Sequence, residues 1–443
     1  MKIVRVIARL NVGGPAKHVV WLTAGLKECE TLLVAGTVPP GEDDMGYFAT
    51  KLGVTPLYIA EMSREVSLKD VLSIWKLYRL FLRERPDIVH THTAKAGTVG
   101  RVAGLLYRWL TPRVLVGRPR PCKFVHTYHG HIFHSYYGPL KTRVFVNIER
   151  MLARLATDRI VVISEQQRRE INEAFRVGKA DQFAVIPLGL DARVFASWKD
   201  HRQRFRDELG AGESDLLVGI VGRLTEIKNH DLFLRAAALY KNHVSRATNV
   251  ERAGSDGALD RPRVRFVVIG DGHLRTQLEY QARQLGLSDD VIFTGTRKDP
   301  EFFYPALDVV ALTSRNEGTP LTLIEAMLNA RPVIATAVGG VVDLLGDALD
   351  TSGPENAPYS ICQRGVRVPP DDENAFAAGL VRLIDNEALR RTTGERGRQF
   401  AEQQFAKERL LDDVAALYRG LIGEQPVALR MRSDEGSLQS RVL

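Results

Sequence analysis

Twice along this chain short apolar runs alternate with longer amphipathic stretches, and that repeat leaves few folds open. In the first half, runs at 2–8, 31–36, 87–91, 123–128, 159–163 and 183–186 read as strands, with helical periods at 67–85, 95–110 and 139–156. Ser67 is placed to cap the first of these helices. A turn at Pro187-Leu-Gly-Leu-Asp191 closes the half, and the pattern restarts. Strands then read at 216–221, 264–269, 290–294, 307–312 and 332–335, and helices at about 229–244, 273–285, 320–330 and 373–386. Such alternation calls for parallel sheets covered by crossover helices. The expected fold is α/β, two doubly wound domains over 1–190 and 191–395 with a cleft between them at the carboxyl ends of the strands. A long helical stretch at 388–421 ends the fold, and 396–422 is expected to pack back on the first domain. The segment 245–262 reads as a polar surface insertion, and 423–443 as a loose tail.

Composition narrows the class of function. With 443 residues, 44% of them hydrophobic, the chain can build two cores. No apolar run approaches the roughly eighteen residues a membrane span needs, and Arg5 and Arg9 interrupt the first one, which reads as a strand rather than a signal peptide. Cys29, Cys122 and Cys362 match neither a disulfide framework nor a zinc spacing, so a reducing cytoplasm is expected. The charge is uneven: residues 1–190 hold 28 Lys/Arg against 16 Asp/Glu, the remainder 33 against 37. The basic surplus suits either a solvated surface or an anionic partner, such as a lipid surface or a lipid-phosphate acceptor. Arg101 to Leu110 and Lys141 to Arg154 mix apolar, aromatic and basic residues as interfacial helices do, and as core helices with a basic outer face do. A nucleic-acid partner is not expected, because no recognised module or aromatic-basic interleaving is present.

Four constellations carry chemistry. In Ser314-Arg-Asn-Glu317-Gly-Thr-Pro-Leu-Thr-Leu-Ile-Glu325, a strand leads into a helix that Thr319 is placed to cap and Pro320 to open. The free amides over 318–321 suit a diphosphate, and both carboxylates can accept sugar hydroxyls; two lone glutamates would otherwise read as a cap and a solvated face. Val221-Gly-Arg223-Leu-Thr-Glu-Ile-Lys228-Asn-His230 places a guanidinium and an ammonium at a helix start, where the macrodipole disfavours them unless an anion binds. Gly13-Gly14 after the first strand, and Gly270-Asp-Gly272, allow close backbone approach and are weaker signals. Finally, six of the eleven histidines fall within 90–134: His90, His92, His126, His129, His131 and His134. A metal site is the alternative to hydrogen-bonded strand ends, but without H-x-E, H-E-x-x-H or D-x-D a metal-free site is expected.

Together these segments resemble glycosyltransferase family 4, retaining enzymes of the GT-B fold built from two Rossmann-like domains. The resemblance spans most of 1–420, with its specific parts at Gly222-Arg223…Lys228-Asn-His230, Glu317-Gly-x-Pro-x-x-x-x-Glu325-Ala-Met and Pro332 to Gly340. His90-Thr-His-Thr-Ala-Lys95-Ala-Gly97 and His126-Thr-Tyr-His-Gly-His131 look like members that build bacterial surface polysaccharides and lipid-linked oligosaccharides. The resemblance implies a nucleotide-sugar donor, with UDP expected, and a saccharide or polyprenyl-phosphate-linked acceptor. Donor binding would fall to Gly13, Gly14, Gly222, Arg223, Lys228, Glu317, Gly318, Thr319, Leu321 and Glu325. Arg223 and Lys228 would hold the diphosphate, Glu325 the ribose, Glu317 the transferred sugar, and backbone near Thr296 and Arg297 the base. His129 would lie beside the reacting sugar face, making His129, Arg223, Lys228 and Glu317 the catalytic group. No cofactor is implied, since preorganised cations and amides can meet the charge of the leaving diphosphate. Two positions depart from the family: Pro15-Ala-Lys17, where many members carry an acid, and Ala330-Arg331, where many have glycine. The competing readings are a UDP-sugar 2-epimerase and an inactive membrane-associated scaffold.

Overall fold

The computed structural model describes residues 1–11, 13–38, 44–62, 68–130, 139–252, 262–349 and 357–423. Its first half contains β1 (Lys2–Ile7), α1 (Gly14–Gly25), β2 (Glu30–Gly36), α2 (Gly46–Lys51), β3 (Leu57–Ile59), α3 (Lys69–Glu84) and β4 (Ile88–His92). There follow α4 (Ala94–Trp109), β5 (Lys123–Thr127), α5 (Pro139–Leu155), β6 (Arg159–Val162), α6 (Glu165–Arg169) and β7 (Phe183–Val185). The strands form one parallel sheet in the order β3-β2-β1-β4-β5-β6-β7.

The second half runs α7 (Trp198–Glu208), β8 (Leu216–Val221), α8 (His230–Arg252), β9 (Val264–Ile269), α9 (Arg275–Gln284), β10 (Val291–Gly295), α10 (Pro300–Ala306) and β11 (Val309–Leu312). It continues with α11 (Leu321–Leu328), β12 (Val333–Thr336), α12 (Val341–Leu345), β13 (Ser360–Cys362), β14 (Gly365–Val368), α13 (Glu373–Ile384), α14 (Glu387–Gln404) and α15 (Lys407–Ile422). Its sheet has the order β10-β9-β8-β11-β12-β14-β13, with β13 alone antiparallel. Both sheets reverse direction of growth beside their first strand, between β1 and β4 and between β8 and β11, which opens a crevice at the carboxyl ends.

The strands are apolar on both sides because both faces are covered. In β11, Val310 and Leu312 enter one core while Val309 and Ala311 enter the other. In β4, Val89 joins the core under α3 and α4, and Ile88 the core that α15 closes. Buried Arg101 is part of this packing rather than of a basic surface: its Nη2 meets both Glu149 oxygens at 2.7 and 2.6 Å. Tyr128 donates to the same carboxylate at 2.5 Å.

Several expectations need correction. The stretch at 388–421 is two helices broken at Phe405–Ala406, because Leu190 inserts there: Leu190 N donates to Phe405 O at 2.7 Å and Lys407 N to Leu190 O at 3.0 Å. Residues 396–404 therefore stay in α14 against the second half, with Gly397 facing Met327, and only α15 crosses to the first. The expected insertion at 245–262 begins as helix, since α8 runs to Arg252. A polar continuation lacks the apolar period that would announce it. The short strands β3, β13 and β14 went unread because three or four residues carry too little alternation. Ser67, His131, His134 and residues 424–443 lie outside the described residues.

Candidate active site

The glutamates of the first constellation sit as a knot and a hook. After β11 the chain turns through Ser314 to Glu317, whose Oε1 accepts from Lys228 Nζ at 2.5 Å and Ser314 Oγ at 2.6 Å. Lys228 reaches it from the β8–α8 loop, which is tied down from beneath: Thr313 Oγ1 donates to Lys228 O and Asn229 O at 3.0 and 2.9 Å, and Arg315 N to Ile227 O at 2.8 Å. Thr336 at the end of β12 fixes Ser314 O at 2.6 Å. These threonines were missed in the sequence because each is an ordinary strand-end residue until the tertiary fold pairs it, whereas Ser314 opens the constellation and meets Glu317 three residues on. Arg223 stands exposed on the same loop, with no side-chain partner among the described residues.

Glu325 hangs one turn into α11, with Oε2 accepting from the Tyr304 hydroxyl at 3.0 Å. Burial raises its carboxyl, opposed by the charge of Lys17 and by the Tyr304 bond. Thr319 does not cap this helix as expected. Pro320 holds the N-cap position, and the Thr319 hydroxyl is buried without a protein partner, as is that of Thr322. The start of α11 is built for close contact: a Cβ on Gly340 would lie 2.4 Å from Gly318 O, and one on Gly318 would lie 3.3 Å from Gly130 Cα of the other half. Likewise Gly14, first residue of α1, faces Leu321, whose Cδ1 would stand 2.9 Å from an added Cβ. Gly13 precedes it as the helix cap.

The remaining expected donor residues are placed less directly. Gly270 has φ +144°, and a Cβ there would lie 2.0 Å from Gly222 O, so the Gly270-Asp-Gly272 turn serves to pack against the Gly222 loop. Thr296 is exposed beyond β10. The Arg297 guanidinium is consumed by Asp299 and Glu208, at 2.5 and 2.6 Å, which leaves backbone as what this turn offers a ligand.

On the facing half His90, His92 and His129 form one cluster, joined by His18 of α1, which the sequence reading passed over because it stands alone in its segment, while His126 stands apart against Tyr128 and Thr91. His92 Nδ1 and His129 Nε2 lie 3.0 Å apart, and the His18 and His129 rings 4.8 Å. His90 is held by Tyr418 of α15 at 2.6 Å and by Thr127 at 2.7 Å, and His126 by Thr91 at 2.9 Å. Burial lowers all five, His129 to about 3, and the nearby Arg5 charge adds to the effect on His90 and His92. They are therefore neutral at physiological pH. Among the described residues, His18, His92 and His129 are a group able to meet on one ion, with nitrogens within 4.8 Å of one another.

Two facing doubly wound domains, with a carboxylate–lysine knot at one switch point and glycine turns opposite, define the GT-B class of nucleotide-sugar-dependent transferases. Sequence comparison agrees: residues 13–189 match the glycosyl transferase 4-like domain and residues 201–400 the glycosyl transferases group 1 model. The chain belongs to this glycosyltransferase family. It is 28% identical over 339 residues to a UDP-Gal:alpha-D-GlcNAc-diphosphoundecaprenol alpha-1,3-galactosyltransferase of Escherichia coli, covering 76% of each chain. It is 25% identical to the capsular polysaccharide biosynthesis glycosyltransferase CapM of Staphylococcus aureus, covering 83% of this chain and 86% of that one. Its fold superposes on Anabaena HepE in complex with UDP with a TM-score of 0.72 at 19% identity, over 95% of this chain and 100% of that one.

Proposed function

We propose that this glycosyltransferase moves a sugar, with retention, from a UDP-sugar to a saccharide or polyprenyl-phosphate-linked acceptor in polysaccharide or glycoconjugate synthesis. The observation that carries the reading is the Lys228–Glu317–Ser314 knot beside Glu325 at the start of α11. Arg223 and Lys228 meet the diphosphate together with the amides of Gly318, Thr319 and Leu321, while Gly13 and Gly14 approach it from the other half. Glu325 accepts from the ribose and Glu317 from the transferred sugar. Gly222 lets the loop approach, and backbone at Thr296 and Arg297 holds the base. Neutral His129 stands at the sugar face. As the glycosidic bond breaks, these donors stabilise the leaving diphosphate, so the step needs no metal. The same-face course lets the departing phosphate take the acceptor proton. UDP as the nucleotide is supported by HepE, which binds UDP and UDP-glucose, and a lipid-linked acceptor by the name of the E. coli relative.

A thermal-shift panel of nucleoside diphosphate sugars tests the donor site. One donor should stabilise the wild type and not Glu325→Ala or Lys228→Ala. Equal shifts in all three proteins would refute the assignment, and an inverted anomer by NMR would refute retention.

Peripheral contact with an anionic membrane belongs to the same proposal, with one face beyond the two helices expected, which themselves expose Trp109, Leu110, Val144 and Met151. Arg101 is internal, whereas α3 exposes Val71 (69%), Leu72 and Trp75 (53%) beside Lys69, Lys76 and Arg79, with Leu68 just before it. That is an apolar ridge flanked by cations, as a lipid surface requires. No helix among the described residues is long and apolar enough to cross a membrane. Vesicles with anionic lipid should bind the wild type and release Leu68→Glu/Trp75→Glu; unchanged binding would remove α3 from the contact.

A further inference from the structure

The carboxylate of Glu325 is held by a side chain outside every motif noted above. Tyr304 lies on α10, fully buried, and its hydroxyl donates to Glu325 Oε2 at 3.0 Å. Its ring is fixed against Phe303, with centroids 4.6 Å apart. A buried phenol must find a partner, and here the acceptor is a carboxylate, which makes the bond charge-assisted. Oε2 of Glu325 accepts a side-chain hydrogen bond and, among the described residues, Oε1 accepts none. The arrangement therefore uses one oxygen to fix the group and leaves the second for a ligand. α10 also follows directly on the turn at Thr296 and Arg297, so one short helix links the turn proposed for the base to the acid proposed for the ribose.

We propose that Tyr304 is a positioning residue for the donor: it holds the Glu325 carboxylate in one rotamer, so that the site reads the ribose hydroxyls and rejects deoxyribose. The proposal rests on the reading of Glu325 as the ribose acceptor. Without the phenolic hydroxyl the Glu325 carboxylate loses the donor that fixes Oε2, and with it the orientation that leaves Oε1 for the ribose. Affinity for the base and diphosphate is untouched by the change. What falls is discrimination, because a site built to bond a hydroxyl loses most when its own group is no longer set.

Calorimetric titration with UDP and 2′-deoxy-UDP tests this in wild type and Tyr304→Phe, which keeps the ring. The wild type should bind UDP at least about tenfold more tightly than 2′-deoxy-UDP, as the loss of one hydrogen bond to a charged group implies. In Tyr304→Phe the ratio should fall to within about threefold, by loss of UDP affinity alone, with 2′-deoxy-UDP binding as before. A merely structural role would weaken both ligands together. The ligand-free melting curve verifies folding, and Tyr304→Leu offers a second variant with the same expected collapse of the ratio. An undiminished ratio in a folded variant overturns the role of Tyr304 alone. UDP binding without ribose preference in the wild type overturns the reading of Glu325, and the proposal with it; no UDP binding at all overturns the donor assignment.

Discussion

Acid should dismantle this protein one half at a time. His18, His90, His92, His126 and His129 are buried in the first half with pKa values driven below the ordinary 6.5, whereas among the described residues of the second half only His230, lowered to about 4, behaves so. A depressed folded pKa means that the unfolded chain binds the proton more readily. Stability is therefore fully present above about 6.5 and is lost as pH falls toward the folded values. An imidazole that stays neutral in the fold while the unfolded chain titrates costs on the order of 1 kcal/mol between pH 7.5 and 5.5. Together the five histidines remove several kcal/mol from the first half, on the scale of a domain's whole stability, and His230 on the order of 1 kcal/mol from the second. Peptide-resolved hydrogen exchange at the two pH values, corrected for intrinsic rates, checks this. Protection in β1, β4 and β5 should collapse at pH 5.5 while β8 and β11 stay protected. Equal loss in both halves, or full protection of β4 down to pH 4, would refute the reasoning.

Three further outcomes follow from the packing. Glu149→Ala, which strands the buried Arg101 guanidinium, should cost about 3–5 kcal/mol in urea unfolding, and Arg101→Met/Glu149→Leu should cost less than that single change; the reverse order would show that the pair is not the uncompensated-charge problem its geometry implies. Gly340→Ala, with its Cβ 2.4 Å from Gly318 O, should displace the start of α11 and weaken UDP at least tenfold in calorimetry while the fold survives. Lys407→Ala should loosen the crossing at Asp191, where the ammonium sits 2.9 Å from Oδ2; limited proteolysis should then cut near 187–191 faster than in the wild type, and an unchanged rate would discount the pair.

Much of the architecture was legible because buried parallel strands are apolar throughout and helices between them carry a 3.6-residue stripe. The donor side was legible for a related reason: Arg223, Lys228, Glu317 and Glu325 follow strands and precede helices, where chemistry and position coincide. What could not be read were the supports. Tyr304, Thr313 and Thr336 acquire meaning through partners up to 85 residues away in sequence, as Thr313 does with Lys228. Arg101 misled for the same reason, since a basic residue on a helix looks like surface until Glu149 is brought beneath it. The break in the last helix at Phe405–Ala406 is likewise dictated by Leu190, which no local propensity can announce.

That last crossing sets the order in which the protein can be made. α15 contributes Leu410, Val414 and Tyr418 to the core that holds Ile3, Ile88 and Val125, and Tyr418 closes over His90. A ribosome adding about 5–20 residues per second needs roughly 10–45 s to go from residue 190 to residue 407. Throughout that interval the first half, though entirely synthesised, has an open seam along β1 and β4, while the second half completes its own sheet. The part made first thus finishes last, and its unfinished face is one that chaperones would meet on the nascent chain.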